Sequence, residues 1–340
     1  MMLSRKSLLI LNTNLVKNCR LFSTEQRAFH EVKVPVPWGH VAGRWWEPWD
    51  KRPILAIHGW QDNCGTFNRL IPMLNDSVGV LAIDLPGHGY SSPLPSGMYY
   101  HNMNYPILIR QISNYFKWPK TSLMGHSLGG ISAYMYTMLF PESVDFLVCI
   151  DGVKPLYKKN NGPRMAEGIQ ELLKYDAQMR STEEPPSYPL DVLKKKLAAL
   201  NKNSISIEHC HHILERNIAP SKNDPDKYCF TRDPRLKARL ILNWSQKELV
   251  EGAYRVTPPL CMIKFTESGY YEEKQNFYEI LEVLKKTSKD PRVHYVDGPH
   301  HTHLNNPETV NNLINNFVGT HNTEDRSVGG IKSDIISAEN

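Results

Sequence analysis

No apolar stretch in the 340 residues approaches the roughly 18 to 20 that cross a bilayer, so no transmembrane helix is expected. No C-x-x-C pair is present. The six cysteines (Cys19, Cys64, Cys149, Cys210, Cys229, Cys261) stand apart, several of them inside apolar runs, which fits free thiols in a reducing compartment. No dense block of Lys and Arg interleaved with aromatics accompanies the net charge of +5, so a nucleic-acid partner is not expected. No internal repeat is visible. No acid precedes Glu25, whereas Arg5, Lys6, Lys17 and Arg20 stand among hydroxyl and amide residues. Residues 1–24 therefore have the character of a mitochondrial presequence, with "RLFS" resembling an arginine-directed cleavage site. The apolar centre "SLLIL" is short for a secretory signal. Mitochondria are the expected location, with the cytoplasm as the alternative.

What is present is an ordinary globular composition, 41% hydrophobic and 22% charged. From Phe29 an alternating pattern predicts two antiparallel edge strands turning at Gly39. Short continuous runs follow at Pro53–Gly59, Val78–Gly87, Thr121–Ser127 and Val144–Gly152, suited to strands covered on both faces. Helical patterns lie between them at Thr66–Leu74, Tyr105–Lys117 and Leu128–Phe140. Such alternation implies an α/β fold with a mostly parallel central sheet flanked by helices. After Gly152 it stops for about a hundred charged, helix-forming residues. It resumes with a strand at Pro258–Phe265, a helix at Glu272–Lys286, a strand at Arg292–Gly298 and a helix from Pro307 to Val318. The expected organisation is a core of residues 29–152 and 258–318, a helical cap inserted at 153–257 and a disordered polar tail at 319–340.

"GHSLG" (Gly125–Gly129) is a G-x-S-x-G motif at a strand-to-helix junction. A nucleophile on so sharp a turn needs glycine on both flanks, and the turn sets Ser127 at a helix N-terminus that favours an oxyanion. "HGW" follows an earlier core strand, so the oxyanion hole is assigned to the backbone amides of Trp60 and Leu128. Each such donor contributes on the order of 3 kcal/mol to transition-state stabilisation. The base should follow the last strand, where "VDGPHHTHLNNPE" offers His300, His301 and His303; His300, directly after the strand end, is the choice. Zinc is not expected at this cluster, because no carboxylate or thiolate stands at a suitable spacing nearby, nor at "EHCHH" (Glu208–His212) on a cap helix. No cofactor is expected.

"HGW", "DLPGHGYSS", "GHSLGG" and "GPHHTHLNNPE" resemble, in order, the landmarks of the α/β-hydrolase superfamily from about Phe29 to Val318. "VAGRWW", "HGWQDN", "TRDPRLK" and "IKFTESGYY" resemble, more narrowly, the animal serine hydrolase-like proteins of the kraken type. The resemblance implies an α/β-hydrolase fold with a helical cap, and a serine hydrolase acting on a small-molecule ester or related acyl substrate. It leaves the acid open. Most relatives carry an aspartate after the strand that follows the cap, but here that strand runs into "TESGYY", with Ser268 near the expected position. Asp151, ending "VDFLVCID", is preferred, as in relatives whose acid sits on that strand, and Glu267 is the alternative. Carbon–carbon bond cleavage, perhydrolysis and a binding role without catalysis are the competing functions. Cap aromatics such as Tyr157, Tyr175 and Trp244 are candidates for the roof of the pocket.

Overall fold

The structure, a computed structural model, describes residues 27–238, 244–322, 326–327 and 329–337. The expected presequence lies outside them. The alternating segment forms β1 (Phe29–Val36) and β2 (Gly39–Trp46), antiparallel with Val36 opposite Gly39. Next come β3 (Ile54–Ile57), β4 (Val80–Ile83), α1 (Asn104–Phe116), β5 (Thr121–His126), α2 (Leu128–Leu139) and β6 (Val144–Ile150). The inserted region holds α3 (Gly162–Met179), β7 (Ser187–Tyr188), α4 (Leu190–Leu200), α5 (His211–Leu214), β8 (Ile218–Pro220), β9 (Tyr228–Phe230) and α6 (Gln246–Ala253). The chain then returns through β10 (Leu260–Phe265), α7 (Lys274–Thr287), β11 (Pro291–Val296), α8 (Thr302–Asn305) and α9 (Asn311–His321).

Eight strands make one sheet in the order β1-β2-β4-β3-β5-β6-β10-β11. β2 runs antiparallel to both of its neighbours, β1 and β4, and the remaining pairs are parallel. Continuous apolar strands have this role because helices cover both faces. One layer packs Trp45, Tyr105, Tyr134 and Leu281; the other packs Phe67, Phe146, Ile314 and Phe317. Each such side chain, fully buried, contributes about 1.5–3 kcal/mol. The parallel strands place their carboxyl ends along one edge, and β5, β6 and β10 are neighbours there.

Four local features differ from the sequence reading. Thr66–Leu74 is not one helix: two 3-10 turns, Cys64–Phe67 and Ile71–Met73, replace it. Asn63 caps the first by accepting from the Gly65 amide, and Pro72, which has no N–H to donate, keeps the first from running on into the second as one helix. The inserted region, expected as a helical cap, is not wholly helical, since β7, β9 and β8 form a small antiparallel sheet whose strands are too short to show a period of two. Helix α6, counted with the cap, buries Leu249 and Ala253 in the same apolar layer as Leu281 and Leu284 of α7, so it packs with the core. The described residues of the tail are ordered: α9 runs to His321, Ile335 is buried, and Ile336 bridges to Val32. Its few isoleucines find apolar cover that the surrounding polar residues obscure in the sequence.

The inserted region is tied to the rest of the fold by buried ion pairs. Arg216 meets Asp84 at 2.7 Å with both side chains fully buried, and also Glu31 at 2.5 Å. Lys154 meets Glu272 at 2.7 Å. All five cysteines among the described residues are buried and free.

Candidate active site

Ser127 stands between β5 and α2 with φ 53° and ψ −115°, a backbone conformation that an L-residue holds only when its surroundings impose it. Those surroundings are glycine-dependent. A Cβ on Gly125 would lie 2.2 Å from the Gly129 carbonyl carbon, and one on Gly129 would lie 1.9 Å from the Ile57 carbonyl oxygen. The elbow is also pinned by the Ser127 amide, which donates to the Ile150 carbonyl at 2.9 Å.

Ser127 Oγ is 2.9 Å from His300 Nε2, and His300 Nδ1 is 2.5 Å from Asp151 Oδ2. The carboxylate only accepts, so Nδ1 carries the proton and Nε2 faces the hydroxyl as an acceptor. Asp151 follows β6, between β5 and β10 in the sheet, and its other oxygen accepts from Lys264 Nζ at 2.7 Å and the Phe265 amide at 3.1 Å. Burial works to raise the Asp151 pKa. The hydrogen bond and charge of His300 and the Lys264 ammonium outweigh it and hold the carboxyl below its ordinary value. Asp151 is buried, whereas Ser127 and His300 are partly exposed, as a site open to a small molecule requires.

The remaining candidates fall as follows. Glu267 is exposed, while Asp151 reaches His300. Ser268 is close by, its Oγ 3.3 Å from His300 Nδ1. His301 and His303 face away from Ser127, toward Ser204 and Thr66. Leu128 opens α2, and among the described residues no acceptor meets the Trp60 or Leu128 amide. Two buried histidines shape the Trp60 loop. His58 Nδ1 donates to the Gly59 carbonyl while Nε2 accepts from the Leu85 amide, and His88 Nε2 accepts from the amide of Gln61. Burial lowers both imidazole pKa values, consistent with these neutral roles.

Of the aromatics expected to roof the pocket, Tyr157 and Trp244 pack against the core, and Tyr175 lies against Lys174 and Lys237. Tyr271, which the sequence reading passed over, places its ring 5.9 Å from that of His300. Lys264 was also passed over. Its signal was a lone charge inside the apolar run "LCMIKF". In the "EHCHH" cluster, His209 Nε2 is 2.9 Å from a guanidinium nitrogen of Arg69, which occupies the face a metal would need.

The model of the alpha/beta hydrolase fold family matches residues 52–178. A probable serine hydrolase of Drosophila melanogaster is 34% identical over 290 residues, covering 83% of this chain and 86% of the relative. A serine hydrolase-like protein of Danio rerio is 32% identical over 300 residues, covering 87% and 90%. Among solved structures, a hypothetical protein from Pseudomonas aeruginosa superposes with a TM-score of 0.72 at 25% identity, covering 85% of this chain and 99% of the other.

Proposed function

Because the chain belongs to the α/β-hydrolase fold family, among its serine hydrolase-like proteins, we propose that it is a serine hydrolase that cleaves carboxylic esters through an acyl-enzyme on Ser127. What supports the reading is the hydrogen-bonded series Ser127 Oγ, His300 and Asp151, at 2.9 and 2.5 Å. His300 Nε2 takes the hydroxyl proton as Oγ attacks the ester carbonyl. The oxyanion that forms is held by the Trp60 and Leu128 amides. Asp151, kept ionised beside Lys264, stabilises the imidazolium and holds its tautomer. His300 then gives the proton to the departing alkoxide, leaving the acyl group on Ser127. A water deprotonated by His300 attacks that acyl group and releases the acid.

The test is steady-state hydrolysis of p-nitrophenyl esters of increasing acyl length. Wild type should turn over, and Ser127→Ala should lose about 10³-fold or more in kcat with its fold intact. Wild-type turnover by Ser127→Ala would overturn the proposal. Stoichiometric binding of an ester without turnover by wild type would instead favour a binding role.

A further inference from the structure

Directly behind the nucleophile lies a second cluster that acyl transfer does not use. Asp62 comes from the loop after β3, His126 ends β5, and His301 precedes α8. All three are buried, and one ligand atom from each lies within 4.8 Å of those of the other two. Asp62 Oδ2 is 3.9 Å from His126 Nδ1 and 3.7 Å from His301 Nε2, both too far for a hydrogen bond. Among the described residues, Asp62 Oδ2 and His126 Nδ1 have no hydrogen-bond partner. Buried polar atoms are rarely left so.

Hydrogen bonds on the far side of each ring fix the protons. His126 Nε2 is 2.9 Å from the His300 carbonyl oxygen, which only accepts, so in the neutral ring Nδ1 is a lone pair. Ser204 Oγ gives its one proton to the Asn201 carbonyl at 2.7 Å. It therefore accepts from His301 Nδ1 at 2.7 Å and leaves His301 Nε2 as a lone pair. Two lone pairs and a carboxylate oxygen thus converge with no proton among them, and a cation relieves their repulsion.

We propose that Asp62, His126 and His301 form a binding site for a divalent transition metal ion, of which zinc is the best match. Two imidazole nitrogens and one carboxylate oxygen are a donor set that suits zinc. A four-coordinate zinc with bonds of about 2.1 Å holds its ligand atoms about 3.4 Å apart, so the two spacings from Asp62 need close by only a few tenths of an ångström. Both rings already donate outward, to the His300 carbonyl and to Ser204, as metal-bound histidines do. The argument from sequence against a metal was the lack of a carboxylate near "GPHHTHLNNPE"; the fold brings one from the far end of the chain. The ion would brace three segments at once, since Asp62 is two residues from Trp60, His126 adjoins Ser127 and His301 adjoins His300.

The test titrates Co2+ into the purified full chain after dialysis against a chelator. The expected result is a visible absorption band of four-coordinate cobalt that saturates at one equivalent and is displaced by Zn2+. Asp62→Asn and His301→Gln should lose the band, and His209→Gln, in the unrelated histidine cluster, should keep it. Circular dichroism reports whether each variant is folded. X-ray absorption on zinc-loaded wild type needs no variant and should show two imidazoles with oxygen donors. No uptake of Co2+ or Zn2+ by wild type at millimolar metal, a band retained by folded Asp62→Asn, or a spectrum without paired imidazoles would each overturn the site. None of these readouts requires turnover, so their failure and that of the Ser127 reading are separable.

Discussion

Lys264 Nζ lies 2.7 Å from Asp151 Oδ1, on the opposite side of the carboxylate from His300. The lysine is itself buried and also donates to the Phe265 and Ser268 carbonyls, so it is a fixed charge held against the carboxylate. In sheet terms it is the residue of β10 that follows Ile263, the partner of Ile150.

Replacing that lysine should change the pH profile. Burial raises the Asp151 pKa, and His300 and Lys264 together lower it; in Lys264→Met one lowering influence is gone, so the pKa rises. Asp151 is then neutralised at a higher pH. The acid limb of kcat/KM should shift upward, with kcat at neutral pH reduced roughly 10-fold or more. An unmoved acid limb would remove Lys264 from the account.

The acid itself can be assigned by a pair of variants. Asp151→Asn should cost about 10³- to 10⁴-fold in kcat, through loss of tautomer control and of imidazolium stabilisation. Glu267→Gln, at an exposed position, should leave kcat within about twofold of wild type. Because Ser268 Oγ is 3.3 Å from His300 Nδ1, the double variant Asp151→Asn/Ser268→Asp should recover at least about 10-fold over Asp151→Asn alone. The kinetics of the three variants on one ester check the assignment.

The Arg216–Asp84 pair makes a stability prediction. Arg216→Met leaves Asp84 buried without its partner and should destabilise the protein by about 3–5 kcal/mol in urea unfolding. The pair also gives a pH dependence. Burial raises the Asp84 pKa, but the charge and hydrogen bonds of Arg216 overcome it and hold the group at about 2. A depressed folded-state pKa contributes stability at pH values above the unfolded aspartate range. That contribution should be lost as pH falls from near 4 through about 2 in wild type, and be missing from the Arg216→Met profile.

The parts of the site that were legible in the sequence are those that depend on local backbone. Gly125, Ser127 and Gly129 announce the elbow because the turn admits no side chain at the flanks, and His300 is marked by its place after a strand. Asp151 is harder to read: its contact with His300 spans 149 residues of sequence, and only sheet order brings the two together. Lys264 and Asp62 fall inside "IKFTESGYY" and "HGWQDN", but neither stretch marks them for a role. A buried lysine reads as an interruption of a strand, and an aspartate after "HGWQ" reads as a loop residue, until the fold supplies Asp151 to one and two histidines to the other. In the fold, continuous apolar runs and long amphipathic helices were readable, whereas the turns near Asn63 and Pro72 and the two- and three-residue strands of the inserted region were not.

The central claim is that Ser127 is a nucleophile activated by His300 and Asp151, and intact mass after treatment with a fluorophosphonate probe tests it most directly. The account expects one adduct per wild-type chain, none on Ser127→Ala, and a rate on Asp151→Asn slowed by about 10²-fold or more. Absence of an adduct on folded wild type, or an equal adduct on Ser127→Ala, would contradict it.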